Sequence, residues 1–319
     1  MIVGAEHAPP HTFCSNRMNR KIFFLIFVLI VIMACNHPLQ NRSSSTNVPQ
    51  PNQSSVQTGS MDKTISSGGV TRHYILHVPS SYQQGNAVAL IFNFHGYGSN
   101  SQQEENLTGM SAKADHEGFI VVYPDGLSNA WHDGPGAEGK ADQQFIRDLI
   151  AALESQYNID AKRIYATGIS NGSGMTNRVG CDMADVIAAI APDSGAYNFW
   201  QDCSPSRPMP VLAFHGLDDN IVPYNGGTPK AMEPPIEEWA ASWATLNGCA
   251  SAPATTTPAD TVTVRIWSNC KDNAGVILYS LANHGHSWPG SAIMPKSITS
   301  QAVNATDLMW EFFKAHSMP

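Results

Sequence analysis

Short apolar runs alternate with amphipathic stretches along most of this chain. The runs have the length of strands; Val88–Phe94 and Phe119–Tyr123 are continuous, as in buried strands, whereas Arg72–Val78 alternates. The runs are Arg72–Val78, Val88–Phe94, Phe119–Tyr123, Arg163–Thr167, Val186–Ala191, Val211–Phe214, Val262–Trp267 and Val276–Leu281. The amphipathic stretches suit helices and are Ala141–Tyr157, Ser173–Met183, Pro235–Leu246 and Ala302–Ala315.

Strands that alternate with helices predict an α/β fold, with a mostly parallel central sheet covered by helices on both faces. Active sites in such sheets lie at the carboxyl ends of the strands. We therefore expect functional side chains directly after the apolar runs.

The N-terminal segment has the pattern of an export signal. Three basic residues between positions 17 and 21 precede the apolar run Ile22–Met33. Its 12 residues fit a signal peptide and fall short of the roughly 20 that a spanning helix needs. Ile32–Cys35 resembles a lipobox, in which Cys35 would be lipidated. An ordinary secretory signal and an N-terminal membrane anchor are the alternatives.

The segment after Cys35 is too polar to form a core. Residues 36–60 are mostly Ser, Gln, Asn, Thr and Pro, which predicts a disordered tether spanning about 25–30 Å. Before the signal, residues 1–17 match no targeting pattern, so Met18 is a better start for the signal peptide than Met1. The expected organisation is an extension and signal at 1–35, the tether at 36–60 and an α/β domain at 61–319.

Composition and charge narrow the possible partners. The chain is 42% hydrophobic and 14% charged, with 21 Pro, as in a loop-rich protein outside the cytoplasm. Its net charge is −8, and beyond residue 35 there remain 15 basic and 25 acidic residues, a net charge of −10. Such a surface repels phosphate backbones, so we expect no nucleic-acid partner.

Cysteine usage agrees with export. Two of the six cysteines, Cys14 and Cys35, lie in the targeting region. An even number in an exported domain favours two disulfides, for which three pairings exist. Sequential pairing would close loops of about 22 residues, each worth roughly 3 kcal/mol. No C-x-x-C spacing supports a metal site. The four domain cysteines are Cys181, Cys203, Cys249 and Cys270.

The segment Gly168–Gly172 reads G-x-S-x-G between a predicted strand and a predicted helix. This is the pattern of the nucleophile elbow of an α/β-hydrolase, a strained turn that lifts the Ser170 hydroxyl out of the sheet. The glycines let strand and helix pass closely, where a side chain would clash.

The other parts of a catalytic triad follow in the order that this fold requires, an acid and then a histidine. Asp218 and Asp219 come directly after the run Val211–Phe214. His284 and His286 come directly after the last run. The spacing alone leaves both choices open.

Longer motifs resemble the polyhydroxybutyrate depolymerase/feruloyl esterase-like family of secreted α/β-hydrolase esterases, over about residues 65–316. The matching segments are His95–Ser99, Val121–Gly126, Ala188–Pro192, His215–Tyr224 and Gly285–Gly290. The resemblance implies that Asp219 is the catalytic acid and His286 the base. It also implies disulfides that pair Cys181 with Cys203 and Cys249 with Cys270. One departure from the family pattern is Ser173-Gly174, which could alter the start of the helix.

The resemblance gives each residue an expected role. His286 takes the Ser170 proton and returns it to the leaving group, while Asp219 orients the imidazole ring. The backbone N–H groups of Tyr97 and Asn171 form the oxyanion hole.

Other residues have weaker signals. Trp288, Trp131 and Trp200 are candidates for the substrate pocket, although Trp is also a common core residue. His95 and His215 each stand at a strand end before Gly and are expected to be structural.

We therefore expect an extracytoplasmic serine esterase that forms an acyl-enzyme on Ser170, without metal or cofactor. The implied substrates are feruloyl or acetyl esters of polysaccharide, or hydroxyalkanoate polyester, with diffusible oligomers suiting a tethered enzyme. The only membrane contact expected is the lipid on Cys35. The alternatives are a serine peptidase of the same fold and a non-catalytic cell-surface binding lipoprotein. The sequence leaves the oligomeric state open.

Overall fold

A mixed β-sheet runs through the protein. The computed structural model describes residues 56–227 and 233–319. Within them the strands are β1 (Gly59–Ser67), β2 (Val70–Val78), β3 (Val88–Phe94), β4 (Ile120–Pro124), β5 (Ile159–Ile169), β6 (Ala189–Asp193), β7 (Val211–Gly216), β8 (Ala254–Ala259), β9 (Val262–Trp267) and β10 (Val276–Leu281). Their order in the sheet is β1-β2-β4-β3-β5-β6-β7-β10-β9-β8.

The centre of the sheet is parallel. Neighbouring strands from β4 to β10 pair in parallel, whereas β1, β2, β9 and β8 pair antiparallel at the two sides of the sheet. The carboxyl ends of β5, β6, β7 and β10 therefore lie side by side along one end of the sheet, and this row of strand ends is hereafter called the sheet edge. This is the location that the sequence predicts for the functional side chains.

Helices cover both faces of the sheet. In the described residues they are α1 (Ser101–Thr108), α2 (Met110–Glu117), α3 (Ala137–Gln156), α4 (Asn171–Asp182), α5 (Ile236–Leu246) and α6 (Ala305–Lys314). Apolar side chains of α3, α4 and α5 pack on one face, and those of α1, α2 and α6 pack on the other. The predicted mostly parallel sheet with helices on both faces is confirmed.

Strand β3 shows why its sequence is apolar throughout. Leu90, Phe92 and Phe94 point into one core, and Ala89 and Ile91 point into the other. A strand buried on both faces needs apolar residues at every position, which is the continuous run that the sequence displays.

The elements that the apolar pattern misses lie at the two sides of the sheet or are short. Strand β1 is an edge strand with alternating burial, and β8 is exposed at every position. Polar residues suit such strands because an exposed apolar edge would promote aggregation. Helix α1 is polar and is stabilised by Asn100, whose side chain accepts a hydrogen bond from the Gln103 amide.

Several element boundaries shift from their predicted positions, including those of β5 and β6. Strand β5 begins at Ile159, four residues before the predicted run, and β6 spans Ala189–Asp193 and not 186–191. The β6 start moves because Val186 and Ile187 close a turn on the Met183 carbonyl. As a result β6 ends on Asp193, a residue outside the predicted strand.

Both disulfides implied by the family resemblance are present. Cys181 bonds Cys203, which joins helix α4 to the loop after β6. Cys249 bonds Cys270, which joins the end of α5 to the turn after β9. The predicted pairing is confirmed.

The export signal, Cys35 and most of the tether lie outside the described residues, so these assignments stay predictions. The described residues belong to the unit Ser54–Pro319, and β1 begins at Gly59, two residues before the expected domain start. Within residues 56–227 and 233–319, no helix has the length and apolar character to cross a membrane.

Replacing both Cys181 and Cys203 with Ala is expected to lower the free energy of unfolding by about 3 kcal/mol, since the bond closes a loop of 22 residues. Urea unfolding of the oxidised full-length protein measures the change. The matched control replaces Cys249 and Cys270, 21 residues apart, and should lose a similar amount. An unchanged unfolding midpoint in both variants would show that neither bond stabilises the fold.

Candidate active site

Ser170 occupies the turn between a strand and a helix. Strand β5 ends at Ile169 and helix α4 begins at Asn171, with Ser170 between them at φ 59° and ψ −121°. This is a sparsely populated region for a residue with a Cβ atom, and such strain is common at functional sites. The elbow predicted from G-x-S-x-G has the expected backbone geometry.

The glycines of the elbow are required by close contacts with β3. A Cβ atom on Gly172 would lie 2.0 Å from the carbonyl oxygen of Phe94, and one on Gly168 would lie 2.5 Å from the same oxygen. Any side chain at either position would push α4 away from β3. The predicted steric role of these two residues is confirmed.

The departure at Ser173-Gly174 is accommodated at the start of α4. Ser173 Oγ lies 2.6 Å from the carbonyl oxygens of both Gly168 and Asp193, and it accepts a hydrogen bond from the Asp193 amide at 2.9 Å. A Cβ atom at Gly174 would lie 2.6 Å from a carboxylate oxygen of Asp133. Ser173 therefore links α4 to β6, and Gly174 leaves room for a neighbouring loop.

His286 and Asp219 form a hydrogen-bonded pair. His286 Nδ1 lies 2.8 Å from Asp219 Oδ2, and Asp219 Oδ1 accepts hydrogen bonds from the amides of Ile221 and Val222 at 2.8 and 2.9 Å. Burial acts to raise the pKa of Asp219, but these hydrogen bonds and the His286 ring outweigh it and hold the pKa below its usual value. Asp219 is therefore ionised near neutral pH.

The structure separates this pair from its two competitors. Asp218 is exposed, whereas Asp219 is 4% exposed and faces the ring. His284 is fully buried, with one ring nitrogen on the Ser287 carbonyl and the other accepting from the Ser300 amide. Both nitrogens of His284 are thus occupied, so it cannot take a proton from a nucleophile.

His95 and His215 have structural contacts. His95 is buried, with its ring nitrogens on the Gly96 carbonyl and the Gly126 amide. His215 contacts the Val222 carbonyl, and burial lowers its pKa to about 4. Each ring supports a loop at the edge of the sheet, as the sequence predicts.

Ser170 lies at the same sheet edge as the pair, because β5, β6, β7 and β10 are neighbours. Among the described residues, the Ser170 hydroxyl forms no hydrogen bond with His286. The Ser170 amide donates to the Asp193 carbonyl, and this bond holds the turn. In unliganded enzymes this nucleophile–base bond is often long and tightens with substrate.

The segment expected to supply one oxyanion donor is adjacent to Ser170. A Cβ atom on Gly96 would lie 3.5 Å from that of Ser170, so the residue that precedes Tyr97 packs against the Ser170 turn. The Asn171 amide is at the N-terminus of α4, where N–H groups have no partner within the helix. Both positions agree with an oxyanion hole, which stays a prediction.

Asn171 also has a contact that the sequence analysis missed. Its side chain accepts from the Trp131 amide at 2.7 Å and donates to the Trp131 carbonyl at 3.0 Å. Arg178 of the same helix donates to the Asp133 carbonyl at 2.6 Å. The loop after β4 is therefore fixed to α4, and no local sequence signal connects residues 40 positions apart.

The tryptophans differ from the pocket prediction. Trp288 is 1% exposed and donates to the Thr306 hydroxyl, so it belongs to the core and the pocket assignment is wrong for it. Trp131 is also buried and packs edge-on against Phe94. Trp200 is partly buried against the core, and its pocket role stays a prediction.

A cavity of about 460 Å³ opens beside the Tyr97 segment. This is within the range of about 300–1,000 Å³ that small-molecule sites occupy. Its wall is formed by Tyr97, Leu127, Ser128, Ala130, His132, Glu138, Ala141 and Asp142. The cavity therefore combines an exposed aromatic ring with polar and acidic groups.

Comparisons with known proteins agree with this geometry. The family model described as "Esterase PHB depolymerase" matches residues 73–222. Feruloyl esterase B of Piromyces equi is 33% identical over 264 residues, which are 78% of this chain and 46% of that protein. The chain belongs to the polyhydroxybutyrate depolymerase/feruloyl esterase-like family.

Other relatives of this family member differ in length. The bifunctional acetylxylan esterase/xylanase XynS20E of Neocallimastix patriciarum is 32% identical over 49% of this chain and 22% of its own length. The chain thus spans less than half of either of these two relatives. Among solved structures, the acetyl xylan esterase from Aspergillus awamori has a TM-score of 0.60 at 16% identity, covering 80% of this chain and 99% of that one. That likeness confirms the α/β-hydrolase fold.

Asp219→Asn is expected to lower kcat by about 10⁴-fold, because the amide cannot hold the His286 ring in the productive tautomer. Steady-state hydrolysis of p-nitrophenyl acetate measures the loss. The control is Asp218→Asn, an exposed neighbour that should change kcat by less than about threefold. Equal losses in the two variants would contradict the assignment of Asp219 as the acid.

Proposed function

We propose that this family member is a carboxylic ester hydrolase that forms an acyl-enzyme on Ser170. The observation that carries the proposal is the strained Ser170 turn at the same sheet edge as the hydrogen-bonded Asp219–His286 pair. A nucleophile, a base and an acid that orients the base are the parts that acyl transfer needs.

The tautomer of His286 follows from its contact with Asp219. Nδ1–H donates to the carboxylate, which leaves Nε2 unprotonated and free to act as the base. As Ser170 Oγ attacks the ester carbonyl, Nε2 takes the hydroxyl proton and Asp219 stabilises the imidazolium that forms.

The first half-reaction makes the acyl-enzyme. The tetrahedral oxyanion accepts hydrogen bonds from the amides of Tyr97 and Asn171. When the intermediate collapses, the ester C–O bond breaks and His286 protonates the leaving alkoxide. In the second half-reaction His286 deprotonates a water molecule, which attacks the acyl carbon and releases the acid and free Ser170.

The relatives support esters of plant polysaccharide as substrates, since they are feruloyl and acetylxylan esterases. The family model supports hydroxyalkanoate esters as well. The exposed acid Glu138 in the cavity favours esters of plant polysaccharide, whose alcohol part is a sugar. Its carboxylate repels the free carboxylate of a hydroxyalkanoate leaving group but accepts hydrogen bonds from sugar hydroxyls, whereas Asp142 is buried and paired with Arg72.

The proposed enzyme acts outside the cytoplasm. Two disulfides support this location, because they persist in oxidising compartments. The proposal includes the expected organisation of the chain, with a signal at 1–35, lipidation of Cys35, a tether at 36–60 and the catalytic domain at 61–319.

A fluorophosphonate probe is expected to label the full-length protein, because it reacts with an activated serine, and labelling is expected to disappear in Ser170→Ala. Gel fluorescence after labelling measures it, and Ser194→Ala is the matched control on the next strand end. An unlabelled wild-type protein would indicate a non-catalytic binding protein. Faster cleavage of an amide than of its matched ester would indicate a peptidase.

Glu138→Ala is expected to lower kcat/KM for an acetylated xylo-oligosaccharide about tenfold relative to that for p-nitrophenyl acetate, because a charged acceptor for sugar hydroxyls is lost. The two substrates share the acetyl group, so deacylation is common to both. The control is Glu154→Ala, an exposed acid at the far end of the same helix α3. A ratio that stays constant would place the sugar elsewhere.

A further inference from the structure

Asp193 ends β6, the strand between the one that carries Ser170 and the one that precedes Asp219. Its carbonyl accepts the Ser170 amide at 3.1 Å and lies 2.6 Å from Ser173 Oγ. Its own amide donates to Ser173 Oγ at 2.9 Å. The backbone of Asp193 therefore holds the elbow on both sides of the turn.

The side chain of Asp193 is buried without a partner. It is 0% exposed, and among the described residues neither carboxyl oxygen has a hydrogen-bond partner. In the sheet it lies between Ile169 of β5 and Phe214 of β7, which are apolar neighbours. An ionised carboxylate in this setting would be strongly disfavoured, because no donor or cation compensates for the lost hydration.

Asp193 and Asp219 thus have opposite environments at adjacent strand ends. Asp219 accepts three hydrogen bonds and is ionised. Burial, followed by the charge on Asp219, raises the pKa of Asp193 well above its usual value. Two acids whose environments push their pKa values apart often have different roles in one site.

The groups that face Asp193 are few. Asp219 approaches from the loop after β7, Glu104 approaches from α1, and the buried Tyr197 approaches from the loop after β6. Glu104 is itself 1% exposed, with one carboxyl oxygen that lacks a partner. Next in the chain, the buried Ser194 hydroxyl is close enough to offset part of the rise in the Asp193 pKa, although neither side chain meets the geometry of a hydrogen bond. No cation is among these groups, so the neighbours of Asp193 favour its neutral form.

We propose that Asp193 is a positioning residue that holds the Ser170 elbow through its main chain and must keep its buried side chain uncharged for the reaction at Ser170 to proceed. If rising pH removes the carboxyl proton, a third negative charge joins Asp219 and the oxyanion that forms during ester attack. Repulsion among these charges disfavours the transition state and lowers kcat/KM by about tenfold. This inference rests on the proposed function, because the oxyanion belongs to that reaction.

The pH profile of kcat/KM tests the role. As pH rises above neutral, the wild-type value is expected to fall about tenfold below that of Asp193→Asn, because the amide of the variant cannot ionise. The control is Glu104→Gln, which removes a second buried acid that faces Asp193 and should retain the wild-type fall. A fall of the same size in Asp193→Asn would overturn the proposal.

Stability gives a readout that does not depend on activity. The unfolded chain releases the Asp193 proton near pH 4, while the folded protein keeps it, so wild-type stability falls relative to Asp193→Asn as pH rises above about 4. Urea unfolding at several pH values should show a difference in the free energy of unfolding between wild type and Asp193→Asn. This difference should be absent at low pH and grow as the pH rises. A difference independent of pH would show that Asp193 is not held neutral.

The two readouts separate the possible failures. A wild-type protein that hydrolyses no ester overturns the proposed function, and unfolding then still decides the charge of Asp193. If Asp193→Asn does not fold, Asp193→Ser is measured in the same way, since its hydroxyl is neutral throughout the range.

Discussion

The contact between the start of α4 and the carbonyl of Phe94 is the constraint on which the rest of the site depends. Gly168 and Gly172 let the helix approach β3 within a distance that excludes a Cβ atom. That approach fixes the strained backbone of Ser170 and sets Gly96 against it. The relative positions of the Ser170 turn and the Gly96–Tyr97 segment therefore follow from packing of main-chain atoms and not from flexible side chains.

Electrostatics at the sheet edge depends on how each acid is solvated by the protein. Asp219 has the backbone amides of its own turn and the His286 ring, and remains charged. Asp193, one strand away, has no such donors. Because the two acids differ in their contacts and not in residue type, composition or charge counts cannot distinguish them.

The sequence predicts the parts of the fold and site that depend on local patterns. The β3 run is apolar because both faces are buried, and the elbow has glycines because of one close approach. Edge strand β8 has no apolar signal, since all its residues are exposed. Burial of Trp288 depends on α6, far along the chain, so its sequence next to His286 suggested a pocket role that the fold does not support.

The hydrogen bonds between Asn171 and the main chain of residue 131 fix the path of the loop after β4 without fixing its side chains. Evolution can therefore change the side chains and keep the path. Asn171 binds only the main-chain N–H and C=O of that residue, so the bond tolerates other side chains there. The loop after β4 can exchange cavity residues such as Leu127 and Ser128 while its path past the nucleophile is preserved. Substrate preference can therefore diverge within this family member's lineage without rebuilding the geometry around Ser170.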